Sequence, residues 1–192
     1  MKTMTIAALI TIVALPLAAG DIHGKVACKG VRDSADAVVY VSRIADKTFA
    51  PPAAHVKVDQ KNMKFTPRVV PVLIGTTVDF LNSDAALHNV FSPDACAEKF
   101  NLGTWPKGQS RSYTFKNECS AALLCNVHPE MEGFVLALPT PYFAVTAADG
   151  SYVIAGVPDG SYTVKVWHPR LKKAEQAVTV KGPTEANFEI KK

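Results

Sequence analysis

The sequence predicts an all-β protein built from two sandwiches, and three observations carry that reading. Beyond residue 20 the chain breaks into short β-branched or aromatic runs separated by Gly, Pro and Asp-Gly turns. No segment sustains a helical apolar stripe long enough for a confident helix. The turn Asp149-Gly-Ser-Tyr152 recurs as Asp159-Gly-Ser-Tyr162, each copy ahead of an alternating strand. Many short strands with such punctuation suit sandwiches rather than helix-covered sheets.

Taken in order, residues 1–20 read as an export signal. Lys2 supplies the positive start, Thr5 to Leu15 the apolar segment, and Pro16 to Gly20 a small-residue exit. The apolar run is too short for a bilayer anchor, and no later stretch could span one. The mature chain is therefore expected to be soluble and either periplasmic or secreted. Strands are expected at 24–27, 37–42, 69–74, 76–81, 111–115, 123–125 and 134–138, with a short helical turn inside 92–100. After residue 141 the repeated turns predict a meander of hairpin-linked strands, ending with 174–180 and 186–190.

Composition narrows the function classes. Hydrophobic residues make up 48% and charged residues 20% of the 192, an ordinary globular balance. Removing the signal removes one lysine, leaving 20 basic against 17 acidic residues, scattered along the chain. That excess is too weak to imply nucleic acid.

The chemistry concentrates in Cys125-Asn-Val-His128-Pro-Glu-Met131 and in His88-Asn89 upstream. One thiolate, two imidazoles and one thioether are the donors of a blue-copper electron-transfer site, trigonal His2Cys with a weak axial Met. Soft thiolate and thioether suit Cu(I), while imidazole suits both oxidation states. One tight loop delivers three donors, and the fourth, His88, must come from a neighbouring strand. Zinc in structural sites prefers four Cys or His ligands and seldom Met, and the Cys-x-x-Cys-His of a haem attachment is absent.

The remaining histidines are weaker candidates. His55 and His168 read as packing or surface residues. His23 would complete a square-planar amino-terminal Cu(II) site only if cleavage fell after Gly20. Of the other cysteines, Cys96 and Cys119 are expected to pair, both lying beside acidic, turn-forming segments. A bond from Cys28 to either, or three reduced thiols, are the alternatives.

From about His55 to Leu138 the chain resembles the cupredoxins. The resemblance lies in the Cys-x2-His-x2-Met spacing, which is that of amicyanin, in Lys64-Phe65-Thr-Pro67, in Val72 to Asn82, and in His88-Asn89-Val90-Phe91. It implies one type 1 copper held by His88, Cys125, His128 and Met131, with Asn89 tying the first-His segment to the cysteine loop. It also implies that electrons pass through His128, amid an apolar patch of Ala85-Ala-Leu87 and Pro129. A second resemblance, to the carboxypeptidase-regulatory-like (transthyretin-like) sandwich, rests on Val145 to Gly150 and Val157 to Tyr162. Its expected beginning is found at Gly24-Lys-Val26 and Asp36 to Tyr40.

The expected organisation is thus a signal at 1–20, first strands of the regulatory-like sandwich at 21–50, a copper domain at 51–140 inserted into it, and the remainder at 141–192. The alternative is a short N-terminal extension of the metal domain followed by an independent C-terminal sandwich. The resemblance implies a periplasmic one-electron carrier that meets redox proteins transiently, for example a c-type cytochrome or a copper or quinone enzyme. The alternative is a periplasmic copper chaperone or buffer. A third reading, the second sandwich as an adhesion or carbohydrate module, has no site to support it. Copper oxidase or reductase chemistry needs further histidines, so the chain is not expected to be an enzyme.

Overall fold

A computed structural model describes residues 19–192. Most of the expected export segment lies outside the described residues, and the first strand already starts at Ala19. In β1 (Ala19–Cys28) burial alternates, and Ile22, Val26 and Cys28 turn inward. The whole of β2 (Val38–Val41) is buried. A strand covered on both faces must be apolar on both. Val39 and Val41 join the core beneath β1, while Val38 and Tyr40 face a second apolar layer. The strands that pair with β1 and β2 all lie beyond residue 142.

In between, the chain folds on itself. The elements are β3 (Val56–Gln60), β4 (Phe65–Thr66), β5 (Val69–Leu73), β6 (Thr77–Asn82), β7 (His88–Phe91), a 3-10 turn (Ala95–Ala97), β8 (Asn101–Trp105), β9 (Ser110–Thr114), β10 (Cys119–Leu124) and β11 (Glu132–Leu138). They form two sheets, β5-β11-β10-β7-β8 and β4-β3-β6-β9. Val58, Phe80, Phe115, Leu123 and Val135 fill the space between them. The expected strands of this region form, and the helical turn shrinks to three residues within 92–100. The sequence gives no signal for β8. It is an edge strand whose Asn-Leu-Gly-Thr-Trp run buries only Trp105 and so lacks alternation.

The chain then returns to its start. β12 (Phe143–Val145), β14 (Gly160–His168) and β15 (Leu171–Val180) join β2 in the order β12-β2-β14-β15. β13 (Ser151–Pro158) pairs antiparallel with β1, and β16 (Thr184–Glu185) and β17 (Phe188–Ile190) pair parallel with it. The expected meander is corrected here. Beyond residue 141 only β14 and β15 form a hairpin, because β13 pairs with β1 and with neither of its sequence neighbours. Each Asp-Gly-Ser-Tyr turn is instead a corner between facing sheets. A turn dipeptide before an alternating strand fits a corner as well as a hairpin, and β1, distant in sequence, decides by claiming β13. The tyrosines brace this sandwich: Tyr152 Oη donates to the Ala186 carbonyl at 2.5 Å and Tyr162 Oη to the Pro158 carbonyl at 2.9 Å.

Among the described residues, four sheets are thus stacked around three apolar clusters. The middle cluster joins the two bodies through Val38, Tyr40, Val69, Leu136, Leu138 and Trp167. β11 shows why its sequence is nearly continuous in apolar residues: Val135 and Ala137 face one core, while Leu136 and Leu138 face the other.

Candidate metal centre

The centre is built where β7, β10 and β11 meet. β10 ends at Leu124 and β11 begins at Glu132, and these two residues are cross-strand partners. Residues 125–131 are therefore a loop closed at its root by a strand pair. The Met131 amide donates to the His128 carbonyl at 3.0 Å and folds the loop over. His88 opens β7, whose other end, Phe91, lies opposite Leu124.

This convergence brings His88, Cys125 and His128 together, one donor atom from each lying within 4.8 Å of the others. His88 Nδ1 and His128 Nδ1 are 3.0 Å apart, and each is 4.0 Å from Cys125 Sγ. The in-plane point ~2.05 Å from both nitrogens lies ~2.3 Å from the sulfur, within the usual bond lengths of a divalent metal to imidazole and thiolate. At this separation the two ring nitrogens share a proton, one ring donating to the other, or a metal cation takes its place. The donor set fits a metal ion.

Burial keeps water away on one side only. His88, Cys125 and Met131 are buried, whereas His128 is half-buried. Met131 shares the core cluster that contains Cys125. Leu87 and Val127, next in the chain to His88 and His128, are exposed at 53% and 43%.

Two surrounding side chains fix the donors. His88 Nε2 lies 2.9 Å from Asp84 Oδ2. A carboxylate only accepts, so Nε2 carries the proton and Nδ1 keeps its lone pair for the metal. Asp84 also accepts the Met63 and Asn62 amides at 2.9 and 2.7 Å. Despite its partial burial, the Met63 amide first, then His88 and the Asn62 amide, hold its carboxyl below the usual range. Sequence reading missed Asp84; a carboxylate one helical-turn length before a ligand histidine is the signal that would have found it. Asn89 Oδ1 accepts the Asn126 amide at 3.1 Å, while its Nδ2 donates to Asn101 Oδ1 and the Gly103 carbonyl. It thereby links the β7 and β8 backbones to the residue after Cys125.

Cys96 and Cys119 form a disulfide, with Cα atoms 5.4 Å apart. The bond fastens the 3-10 turn to the first residue of β10, and Cys28 and Cys125 remain free thiols. The other histidines serve elsewhere. His55 pairs with Asp79 at 2.9 Å, and His168 Nδ1 accepts the Arg170 amide at 3.1 Å. His23 lies inside β1, paired with Val153 and Glu185, so the square-planar alternative would have to break a strand.

A profile of copper-binding proteins of the plastocyanin/azurin family matches residues 52–137. A search of curated proteins finds no significant match. Among solved structures, the chain is similar to an amicyanin variant in its Cu(I) form, at 26% identity over 45% of this chain and 84% of that one, with a TM-score of 0.42. It is also similar to a purple cupredoxin from Nitrosopumilus maritimus, at 22% identity over 43% and 98% of the two chains, TM-score 0.39. A third similarity is to a copper-containing nitrite reductase from Thermus scotoductus, at 24% identity over 52% of this chain and only 25% of that one, TM-score 0.43. Through residues 52–137 the protein carries a copper-binding domain of the plastocyanin/azurin family, a cupredoxin.

Proposed function

We propose that the protein is an exported one-electron carrier, with copper held by His88, Cys125, His128 and Met131. The observation that carries this reading is the placing of the three clustered donors, two buried and one at the surface. Copper bound there supplies a one-electron couple. The chain's own residues do the rest. Cys125 and Met131 are soft donors for the reduced ion, and the imidazoles serve both states. Asp84 and Asn89 hold His88 and the start of the ligand loop, so little has to move when charge changes.

His128 is the route in and out. Its half-exposed ring amid Leu87, Val127 and Pro129 gives a redox partner a small apolar contact. Such encounters are brief and use interfaces at the small end of the range. A c-type cytochrome or a copper or quinone enzyme is the class of partner that this reading calls for. We read the chain as a carrier and not an enzyme, located in the periplasm or otherwise secreted. The disulfide supports an oxidising compartment.

We also read residues 51–140 as a domain inserted into a regulatory-like sandwich made of 21–50 and 141–192. The pairing of β1 and β2 exclusively with β12 to β17 supports this division. The test of function is absorption and electron paramagnetic resonance of the copper-loaded protein, followed by stopped-flow electron exchange with a c-type cytochrome. An intense thiolate-to-copper band, narrow copper hyperfine splitting and fast exchange are expected. A Cys125→Ser protein that kept the band would overturn the assignment.

A further inference from the structure

We propose that the second sandwich sets the copper site through Arg68, a positioning residue that fixes the root of the ligand loop and hence Met131; this rests on the ligand reading above. The guanidinium spans two bodies. Nη1 donates to Asp36 Oδ2 at 2.8 Å, in the loop between β1 and β2, and Nη2 donates to Glu132 Oε2 at 2.7 Å. Glu132 immediately follows Met131 and lies opposite Leu124, which immediately precedes Cys125. One side chain is thus tied to the point where both arms of the loop leave the sheet.

The rest of Arg68 is fixed as well. Its carbonyl accepts the Phe134 amide at 2.8 Å, and its guanidinium sits 5.5 Å from the Phe134 ring centroid. Phe134 in turn packs edge-on against Trp167 of β14, 5.4 Å between centroids. A crevice between the bodies is lined together by Met131, Arg68, Asp36 and Glu132, so the tie and the thioether residue share one small space.

The residue type argues for geometry rather than stability. The three side chains are 30–41% exposed, and ion pairs so placed add little to folding. A planar fork that presents separate nitrogens to two carboxylates does, however, fix their relative position, which a flexible ammonium does not. Asp36 sits at φ 65°, a left-handed conformation in which aspartate is enriched. A copper domain standing alone would have no Asp36, and its loop root would be held from one side only.

The test uses Arg68→Met, Asp36→Asn and the double variant in the full chain. In metal-free protein, hydrogen exchange of the Met131 amide is expected to quicken three- to tenfold in each. In copper-loaded protein, the Cu(II)/Cu(I) ratio poised against a fixed mediator is expected to move at least threefold, about 28 mV for one electron. Both single variants should move it in the same direction, the double no further than the larger single, with a matching change in the ratio of absorption bands. A charge effect alone predicts opposite directions, because one variant removes a cation and the other an anion. Opposite shifts with unchanged spectra and exchange overturn the proposal, and so does no shift at all. Arg68→Lys, which keeps the charge but not the fork, is expected to behave like Arg68→Met and stands in if that variant does not fold. A wild-type protein without the intense band defeats the ligand reading and the inference with it. That failure is distinguishable because the exchange measurement needs no metal.

Discussion

Replacing Asp84 by alanine is expected to weaken both the metal-free fold and the copper site, and the two losses can be worked out separately. Its carboxylate accepts three hydrogen bonds of 2.7–2.9 Å, from the Asn62 and Met63 amides and from His88. Bonds to a charged acceptor contribute roughly 1.5–3 kcal/mol each when their donors lose all partners. Asn62 is exposed and recovers water, so most of the loss comes from Met63 and from His88, whose side chain is fully buried. With the His88 bond counted in full and the Met63 bond, whose residue is only half-buried, counted at about half, the metal-free protein should lose about 2–4.5 kcal/mol, seen as a lower urea midpoint. Freed from Asp84, His88 no longer has its proton fixed on Nε2, and loss of such a partner typically lowers metal affinity 10–100-fold, about 1.4–2.8 kcal/mol. Titration against a competing chelator measures that loss. Asp84→Asn keeps an accepting oxygen but not the charge, and should show about half of each effect. A copper affinity within twofold of wild type for Asp84→Ala would refute the argument that the carboxylate orders His88.

Three further outcomes follow from other parts of the fold. Replacing Cys96 and Cys119 by serine should destabilise the metal-free protein by about 3 kcal/mol, the loop-closure value for a separation of 23 residues; equal urea midpoints would contradict it. Gly133→Ala would place a Cβ 2.8 Å from the Phe65 Cβ, two residues beyond Met131, and should cost about 1–3 kcal/mol by overpacking, again read from the urea midpoint. Acid should destabilise through carboxylates that the fold holds below their usual range: Asp149 by the Ser151 hydroxyl and amide and by Lys25, and Asp79 by Ser112 and His55. A group whose folded value is depressed contributes stability that is complete above its unfolded value, near 3.9, and is lost as pH falls through the folded one. These carboxylates should leave stability unchanged from pH 7 to 5 and lower it below about 4, and Asp149→Asn should make that fall shallower; His168, whose imidazole burial pushes below its ordinary value, adds a separate loss as pH falls below about 6.5.

What could be read from the sequence was what depends on local chemistry. Four donors of the right softness, three of them in one loop, needed no knowledge of pairing. The nearly unbroken apolar runs at Val38–Val41 and in β11 likewise reported strands covered on both faces. What could not be read was decided by partners far away in the chain. The two Asp-Gly-Ser-Tyr turns look like hairpins until β1 takes β13. β8 has too few buried residues to register as a strand, because an edge needs only one covered face. Asp84 carries no mark in the sequence beyond its distance from His88, since its role depends on the β3–β4 turn folding back to offer two amides.

The two ends of the ligand loop are held in different ways, and that difference matches what each end must do. The middle of the loop carries His128, half-exposed and next in the chain to the exposed Val127, where a partner can approach. The first arm is tied by Asn89 to the Asn126 amide, entirely within the copper domain. The second arm leads from Met131 into Glu132, whose carboxylate is shared through Arg68 with Asp36 of the other body. A thioether is the weakest donor in the set, so its position is the one that bonding to the metal itself constrains least. An external tie has most leverage there. The arrangement therefore separates the two arms: on the proposed reading a partner meets His128, while Asp36, through Arg68, grips the opposite arm at Glu132.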